Sequence, residues 1–453
     1  MSELMIRRKN KFLFLGLDML CILLSYVFAF LLRFDEIPER NIDSFFALIP
    51  WILLISLLFL SVYELYNIQR RNKWDMLRDI LVANTFIVFI TMAFSFIFRE
   101  FALPRTIIVI SYFIAVILMI TWKMIYIKYN KVRNIENVVL FGHHQDMKKL
   151  INDLKSSFSN KITITCIDPE VKRGNLDVLI KSADMIAISP NISEKAKTKI
   201  VSEAISKNKT VFIVPSTYEL FLTKSTITSV EDTMVLSVKP FGLSLDQLLL
   251  KRLSDLIISI FSLILFSPFF LLAIVLIKFE DPKGSVFFGQ KRLGRYNKEF
   301  TILKFRSMIE NAEKETGPVL ASENDQRITK IGKFLRMTRI DEMPQLINVL
   351  RGDMSIVGPR PEREHFIKEF EQKHESYKYR NTVKPGMTGV AQVMGKYTTS
   401  VEDKLRYDLF YIRNYSIWLD ILLLLRTVIV VLDKTKSEGA SEAKKVRSKF
   451  RET

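Results

Sequence analysis

The apolar positions of the chain follow three successive patterns. Up to residue 130 they gather into four near-continuous stretches, 12–32, 44–66, 80–98 and 104–126. Each holds about 20 residues, which at ~1.5 Å per residue crosses a ~30 Å hydrocarbon layer. Four transmembrane helices are therefore expected within 1–130. The first reads as retained, being too long for a signal peptide and lacking a small-residue cleavage site. Arg7, Arg8, Lys9 and Lys11 surround its start, Arg70, Arg71, Lys73 and Arg78 occupy the second loop, and Lys123, Lys128, Lys131 and Arg133 end or follow the fourth stretch. The first loop instead carries Asp35, Glu36, Glu39 and Asp43 against Arg33 and Arg40. Positive loops stay cytoplasmic, so both ends of this module are expected on that side. Asp18, inside the first stretch, reads as a polar contact between packed helices rather than a functional carboxylate.

Between 131 and 240 the pattern changes. Short β-rich runs at 138–141, 162–167, 185–188 and 211–214 alternate with amphipathic helical patterns such as 147–158 and 193–206. Such alternation predicts a parallel sheet of Rossmann-like type. A dinucleotide fingerprint would place Gly-x-Gly after the first strand, so that the backbone can approach a pyrophosphate. Here Gly142 is followed by His143 and His144, and no two of the 15 glycines lie two apart. A regulatory or oligomerising domain without a dinucleotide is expected.

From 244 the chain is basic and rich in motifs. Residues 253–277 carry one charge, Asp255, between Lys251 and Arg252 on one side and Lys278 on the other. The run is long enough to span, yet Ser267 and Pro268 fall past its middle, where proline removes a backbone donor and kinks a helix. A straight span would also carry the basic region to the far side, against the positive-inside trend. The expectation is a re-entrant helix over 246–277 that enters and leaves on one face. The run 417–432, interrupted by Asp420 and Arg426, reads as an interfacial or core helix. Residues 433–453 read as a disordered basic tail.

Composition narrows the classes. The 453 residues are 49% hydrophobic, too apolar for a disordered chain, and 66 Lys and Arg against 48 Asp and Glu leave a net charge of +18. That surplus favours phosphates or anionic lipid. Two cysteines, Cys21 and Cys166, exclude a disulfide framework and a Cys-rich zinc site, and four histidines leave little for a His-based metal cage.

The densest candidate chemistry lies in 328–364, ITKIGKFLRMTRIDEMPQLINVLRGDMSIVGPRPERE. Asp341 and Glu342 stand just before Pro344, which suits the first turn of a helix running through Leu350 and stopping at Gly352. Helical neighbours point about 100° apart, so one carboxylate can face a reacting phosphorus while the other holds a cation. Arg336, Arg339, Arg351 and Arg360 are natural phosphate partners around them, Arg360 with its backbone fixed between Pro359 and Pro361. Alone, an Asp-Glu pair beside a helix start is a capping feature; its cationic surroundings make it a candidate site. Upstream, Lys304 and Arg306 form another phosphate-friendly cluster, after the turn-forming Gly289, Gly294 and Asn297. Gln290 and Lys291 follow Gly289 where a P-loop needs Lys-Ser/Thr, so no P-loop is present. Downstream, Gly386 and Gly389 read as a tight loop, and 402–415 sets Asp408, Tyr411 and Arg413 on a helical pattern. No histidine sits where a Ser-His-Asp arrangement needs one.

Five ordered motifs carry a resemblance: KRLSD at 251–255, the Ser267 and Pro268 kink, KFRSM at 304–308, LRMTRIDEMPQLINVLRGDMSIVGPRP at 335–361 and KPGMTGVAQV at 384–393. Over about 170 residues the chain resembles the bacterial sugar transferase family, the monotopic polyprenyl-phosphate sugar-phosphate transferases that start exopolysaccharide, capsule and O-antigen assembly. With its N-terminal half it is similar to the large members, which transfer hexose-1-phosphate to undecaprenyl phosphate. The resemblance implies four transmembrane helices, a Rossmann-like α/β middle domain at 131–240, and a mainly α catalytic domain at 244–432 with a re-entrant membrane helix. It also implies a multi-pass protein of the bacterial cytoplasmic membrane with its catalytic domain on the cytoplasmic face.

In that scheme Asp341 attacks the β-phosphate of a UDP-sugar, releases UMP and carries the phosphosugar until undecaprenyl phosphate takes it. The resemblance places Mg²⁺ at Glu342, beside Asp341, and matches Lys304, Arg336 and Arg360 to positions near phosphate or nucleotide; Arg306 and Arg339 join them as phosphate-binding candidates. A carboxylate of ordinary pKa ~3.9 is ionised at pH 7 and needs no base, which suits a histidine-poor chain. Membrane lipids are expected partners, a homodimer through the N-terminal half is compatible with the family, and no nucleic acid is expected. Val390 stands where the family often has Trp, and Met394, Gly395, Lys396 and Tyr397 replace Asn-Gly-Arg-Asn, so the sugar is what the resemblance defines least.

Two rivals remain. Membrane-bound nucleotide-sugar dehydratases and epimerases share such an N-terminal half but need a Gly-x-Gly-type loop and Tyr-x-x-x-Lys, and none of the 14 tyrosines has Lys four residues on. A non-enzymatic basic membrane scaffold would release no UMP from UDP-sugar.

Overall fold

The structure, a computed structural model, describes residues 2–67, 73–98, 103–129, 137–158, 162–168, 176–309, 325–396 and 399–432. Arg70, Arg71, Lys131, Arg133, Tyr397 and the expected tail 433–453 lie outside these, as do the side chains of Arg7, Arg8, Lys9 and Lys73. The chain divides into two compact units, Met1–Ser216 and Thr217–Thr453.

The first unit begins with four helices, α1 (Ser2–Arg33), α2 (Glu39–Val62), α3 (Lys73–Ile97) and α4 (Arg105–Tyr129). All four are long and apolar enough to cross a membrane. Phe12, Leu32, Phe46, Phe89, Phe113 and Ile117 stay exposed on their outer faces, as suits helices solvated by lipid. Asp18 is fully buried and accepts from Lys123 Nζ at 2.8 Å and Trp122 Nε1 at 3.0 Å, tying α1 to α4. It is a contact between packed helices, as its setting suggests. Lys123 also donates to Leu65 O at 2.9 Å and is itself fully buried. It therefore does not count among the exit charges of the fourth helix: a buried carboxylate demands a partner, and Lys123 supplies it.

The rest of the unit alternates β1 (Asn137–Phe141), α5 (His144–Phe158), β2 (Thr163–Ile167), α6 (Leu176–Ser182), β3 (Met185–Ile188), α7 (Glu194–Ser206) and β4 (Val211–Ile213). The strands form a parallel sheet in the order β2-β1-β3-β4. Successive side chains of a strand face opposite ways. Accordingly Val139 and Phe141 pack with Ile180 and Ile200 of α6 and α7, whereas Val138 and Leu140 pack with Met147 and Ile151 of α5. Helices on both faces explain why the central strands β1, from Val138, and β3 are unbroken apolar runs.

The second unit opens with α8 (Thr217–Leu222) and an antiparallel hairpin, β5 (Thr226–Val230) and β6 (Thr233–Ser237). Next, α9 (Leu245–Leu265) and α10 (Ser267–Glu280) meet at a bend of 61°. Pro268 lies in the first turn of α10, where a missing N–H costs nothing, and Ser267 Oγ donates back to Ile264 O at 2.8 Å. The expected kink is thus where the two helices part. An antiparallel pair follows, β7 (Phe287–Leu293) and β8 (Glu299–Phe305). Gly294 and Asn297 lie in its turn, but Gly289 lies within β7 instead: a Cβ there would come within 2.9 Å of the cross-strand Thr301 methyl.

The remaining elements are α11 (Lys330–Met337), α12 (Gln345–Arg351), β9 (Ser355–Val357), α13 (Glu364–Lys373), β10 (Gly386–Thr388), α14 (Val390–Met394), α15 (Val401–Arg413) and α16 (Ile417–Leu432). They close over a core that includes Val349, Met354, Val357, Val390, Tyr411 and Leu423. The start of α9 is bolted to it by three polar side chains. Lys251 Nζ donates to Asp420 Oδ2 of α16 at 2.6 Å, Arg252 donates to Val349 O and Leu350 O at 2.6 and 2.7 Å, and Asp255 Oδ1 accepts from Ser355 Oγ and Ile356 N, each at 3.0 Å.

Candidate active site

The Asp341–Glu342 pair is presented by a reversal between two helices. Thr329 Oγ1 caps α11 by accepting from Gly332 N at 2.9 Å. After α11 the chain turns through Arg339, whose φ of 61° is left-handed and uncommon for a side chain of its size. A 3₁₀ turn, Ile340–Glu342, carries both acids, and Pro344 then caps α12, which ends at Gly352 with φ 93°. The acids therefore stand one turn ahead of the helix rather than inside its first turn, because the Arg339 reversal winds the chain before Pro344.

The two carboxylates differ sharply in surroundings. Glu342 Oε1 accepts from Lys304 Nζ at 2.9 Å and from Arg360 Nη2 at 2.8 Å. Burial works against its charge, yet Arg360, Lys304 and Arg339 together hold its carboxyl well below the usual range. Asp341 is 6% exposed, and among the described residues its carboxylate has no hydrogen bond or ion pair. Burial, and then the negative charge of Glu342, push it up to about 6, against the pull of Lys304, Arg336 and Arg339. Glu342 Oε1 is held by two cations; the Asp341 carboxylate has no such partner among the described residues.

Most of the sequence-selected cations converge here. Lys304 comes from the end of β8, which Asn348 of α12 grips by donating to Thr301 O at 2.8 Å and accepting from Leu303 N at 2.9 Å. Arg336 and Arg339 act on Asp341 through their charge, and Arg336 Nη1 is buried without a partner. Arg306 does not join them. Just beyond the strand it donates to Asp281 Oδ2 at 2.9 Å, its guanidinium lying where a Cβ on Gly284 would be. Arg351 lies at the other end of α12 from the acids.

Several residues that support Arg360 escape sequence reasoning. Its carbonyl accepts from Arg380 Nη2, and Arg380 Nε donates to the buried Asp408 at 2.7 Å. Asp408 falls on the helical pattern of 402–415, but the partner that explains it lies 28 residues away. Gly386 donates to Pro359 O at 2.8 Å, and a Cβ on Gly386 would come within 2.1 Å of Gly358 N. Glycine at both positions lets the 384–389 segment press on the loop that carries Arg360. Gly386 is thus in β10, not in a free loop.

Mg²⁺ is the expected ion. Among the described residues no group of three His, Cys, Asp or Glu side chains is placed to hold one. Magnesium commonly takes one or two carboxylates and completes its shell with water and substrate phosphate. Asp341, and Glu342 through Oε2, would be the oxygens for an ion of that kind, since the two cations bond Glu342 at Oε1.

A family model described as bacterial sugar transferase matches residues 246–434, the segment holding all of these side chains. An N-acetylgalactosaminephosphotransferase of Aeromonas hydrophila, named for UDP-N-acetylgalactosamine and undecaprenyl phosphate, is 44% identical over 186 residues, 40% of this chain and 44% of the relative. A UDP-glucose:undecaprenyl-phosphate glucose-1-phosphate transferase of Klebsiella pneumoniae is 36% identical over 274 residues, 58% of each chain. The exopolysaccharide production protein ExoY of Sinorhizobium fredii is 36% identical over 195 residues, 40% of this chain and 84% of that protein. The chain spans about half the length of the first two, and most of the shorter third. On that coverage and on the family match, the chain belongs to the bacterial sugar transferase family.

Proposed function

We propose that the protein transfers a sugar-1-phosphate from a UDP-sugar to undecaprenyl phosphate, releasing UMP and passing through a phosphosugar bonded to Asp341. The observation that carries this reading is the contrast between the two acids. Glu342 is neutralised by Lys304 and Arg360, whereas Asp341 is buried and bare. A desolvated carboxylate without hydrogen bonds is a stronger nucleophile than one in water. Phosphoryl-type transfer asks mainly for positioning and charge neutralisation, which Lys304, Arg336, Arg339 and Arg360 supply. Asp341 Oδ forms its bond to the β-phosphorus while the bond from that phosphorus to the bridging oxygen breaks, its electron pair leaving with UMP. The lipid phosphate then attacks the same phosphorus and frees the carboxylate.

Mg²⁺, held by Glu342 and Asp341 together with phosphate oxygens, would neutralise charge on the diphosphate. The relatives' names include N-acetylgalactosamine, glucose and galactose, so the donor is a UDP-sugar whose hexose is left open. In the same reading the four N-terminal helices span the bacterial inner membrane and the catalytic unit faces the cytoplasm. The α9–α10 pair is re-entrant, and the parallel sheet is a Rossmann-like regulatory or oligomerising module. Capsule, O-antigen and exopolysaccharide assembly are the pathways such a product would enter.

The test is incubation of the purified full-length protein with a panel of β-³²P-labelled UDP-sugars, first without acceptor and then with undecaprenyl phosphate and Mg²⁺. A labelled protein that is chased into lipid supports the reading, and mass spectrometry of the lipid identifies the sugar. No UMP release with any donor would leave a membrane scaffold as the better account.

A further inference from the structure

Two buried polar atoms without a hydrogen-bond partner belong to residues within five positions of Asp341, among the described residues: Arg336 Nη1 and Gln345 Nε2. Arg336 is already a phosphate candidate, but Gln345 has no assigned role. It is the first residue of α12 and only 2% exposed. Backbone hydrogen bonds from Glu342 N to Arg339 O and Met343 N to Ile340 O, then Leu346 N to Met343 O and Ile347 N to Pro344 O, wind the chain in two successive turns on either side of Met343. Gln345 thus comes round one turn after the acid pair. Side chains on a right-handed helix lean towards its N-terminus, which for Gln345 is the direction of the turn that carries Asp341 and Glu342.

An amide buried there without a partner calls for a ligand. Neither neighbouring carboxylate takes its N–H groups: Glu342 is bonded to Lys304 and Arg360, and Asp341 to no described residue. We propose that Gln345 is a substrate-binding residue, whose Nε2–H donates to a non-bridging oxygen of the phosphoryl group passing to Asp341. This rests on the reaction proposed above. The amide gives a hydrogen bond and no proton, and it follows the oxygen as the phosphorus bonds to Asp341 and UMP departs. A neutral donor suits the position, because a lysine or arginine there would pair with Asp341 and quench its charge. It also explains why an apolar residue does not fill a site this buried.

The experiment compares full-length wild type with Gln345→Leu and Gln345→Met, measuring the single-turnover rate of labelled adduct formation from the β-³²P-labelled UDP-sugar that wild type uses. Thermal midpoints are recorded alongside. The expected result is a rate lower by about 10²-fold, the usual loss for one donor to a developing oxyanion, with a midpoint equal to or above that of wild type. An adduct rate within threefold of wild type in both variants overturns the proposal. So does a rate that falls only in step with the folded fraction, which marks a packing role. A wild type that forms no adduct removes the reaction itself and the Gln345 role with it; an adduct formed equally well by the variants removes Gln345 alone.

Discussion

Asp341 and Glu342 are consecutive, yet Glu342 Oε1 accepts from two cations at 2.8 and 2.9 Å while the Asp341 carboxylate accepts from none among the described residues. The division follows from the 3₁₀ turn that holds them, which points neighbours in different directions. It gives the two acids opposite responses to pH and to substitution.

For Asp341 the nucleophilic form is the ionised one, and its carboxyl is pushed up to about 6 from an ordinary 3.8. The kcat/KM for the UDP-sugar should therefore fall as pH drops through about 6, tenfold per unit below it. The effect on stability has the opposite sense. A carboxyl whose folded pKa is raised costs stability as pH climbs from 3.8 to about 6. Asp341→Asn should abolish adduct formation yet melt above wild type at pH 7.5, with the gap closing below about pH 4. Robust turnover by Asp341→Asn would remove the nucleophile.

Glu342 behaves in reverse. Its carboxyl lies well below the ordinary 4.5, so its contribution is present above that value and is lost as pH falls through the folded pKa. Glu342→Gln leaves Lys304 and Arg360 without their anion. Because the Arg360 side chain is 41% exposed, screening trims the loss to about 2 kcal/mol at pH 7. Most activity should go with it, and excess Mg²⁺ should restore a part. The acid limb of the melting curve should be flatter than in wild type. An unchanged acid limb, or full wild-type activity in EDTA, would count against the two assignments respectively.

How far this arrangement was legible depended on the reach of each signal. The four strands of the parallel sheet were readable to within a residue, since a run such as Val138–Phe141 faces helices on both sides, whereas β5, β6, β9 and β10 were not read as strands. Asp341, Glu342, Lys304 and Arg360 stood out by type and spacing. Their pairing did not, because Lys304 meets Glu342 across 38 residues. Arg306 shares a strand face with Lys304 by alternation, but β8 ends at Phe305 and Asp281 claims it. Lys123 read as an exit charge because Asp18, 105 residues away, gives no local sign of its partner. Asn348 carries no local sign that its amide holds β8, donating to Thr301 O and accepting from Leu303 N across 47 and 45 residues.

The Lys251–Asp420 bond fastens α9 to the catalytic core, with side chains 8% and 6% exposed. Removing one partner strands the other, so Lys251→Met should cost about 3–5 kcal/mol of stability. Burial already raises the Asp420 carboxyl despite Lys251. Without Lys251 it protonates more readily still, so the deficit should shrink as pH falls. Lys251→Met combined with Asp420→Leu should recover most of the loss, as apolar replacements of buried pairs often do. Urea or thermal melts of the detergent-purified protein decide it; an additive double variant would show that the two charges are not coupled.

The bend between α9 and α10 yields a test of topology. A straight helix of 25 residues would rise about 37 Å and cross the bilayer. Bent by 61° at Phe266, the pair is either a broken span or a re-entrant hairpin, and in the re-entrant reading proposed above its two polar ends, near Asp246 and Lys283, lie on one face. With Cys21 and Cys166 replaced by Ser, Asp246→Cys and Lys283→Cys should both react with a membrane-impermeant maleimide in inverted vesicles, and neither in right-side-out ones. Pro268→Ala should let the two segments straighten and move part of the Lys283→Cys population to the opposite side, since alanine lacks the ring that limits the helix there. Labelling of the two cysteines from opposite sides in the otherwise unchanged protein would make the pair an ordinary span and put the residues after it, Asp341 included, away from cytoplasmic UDP-sugar.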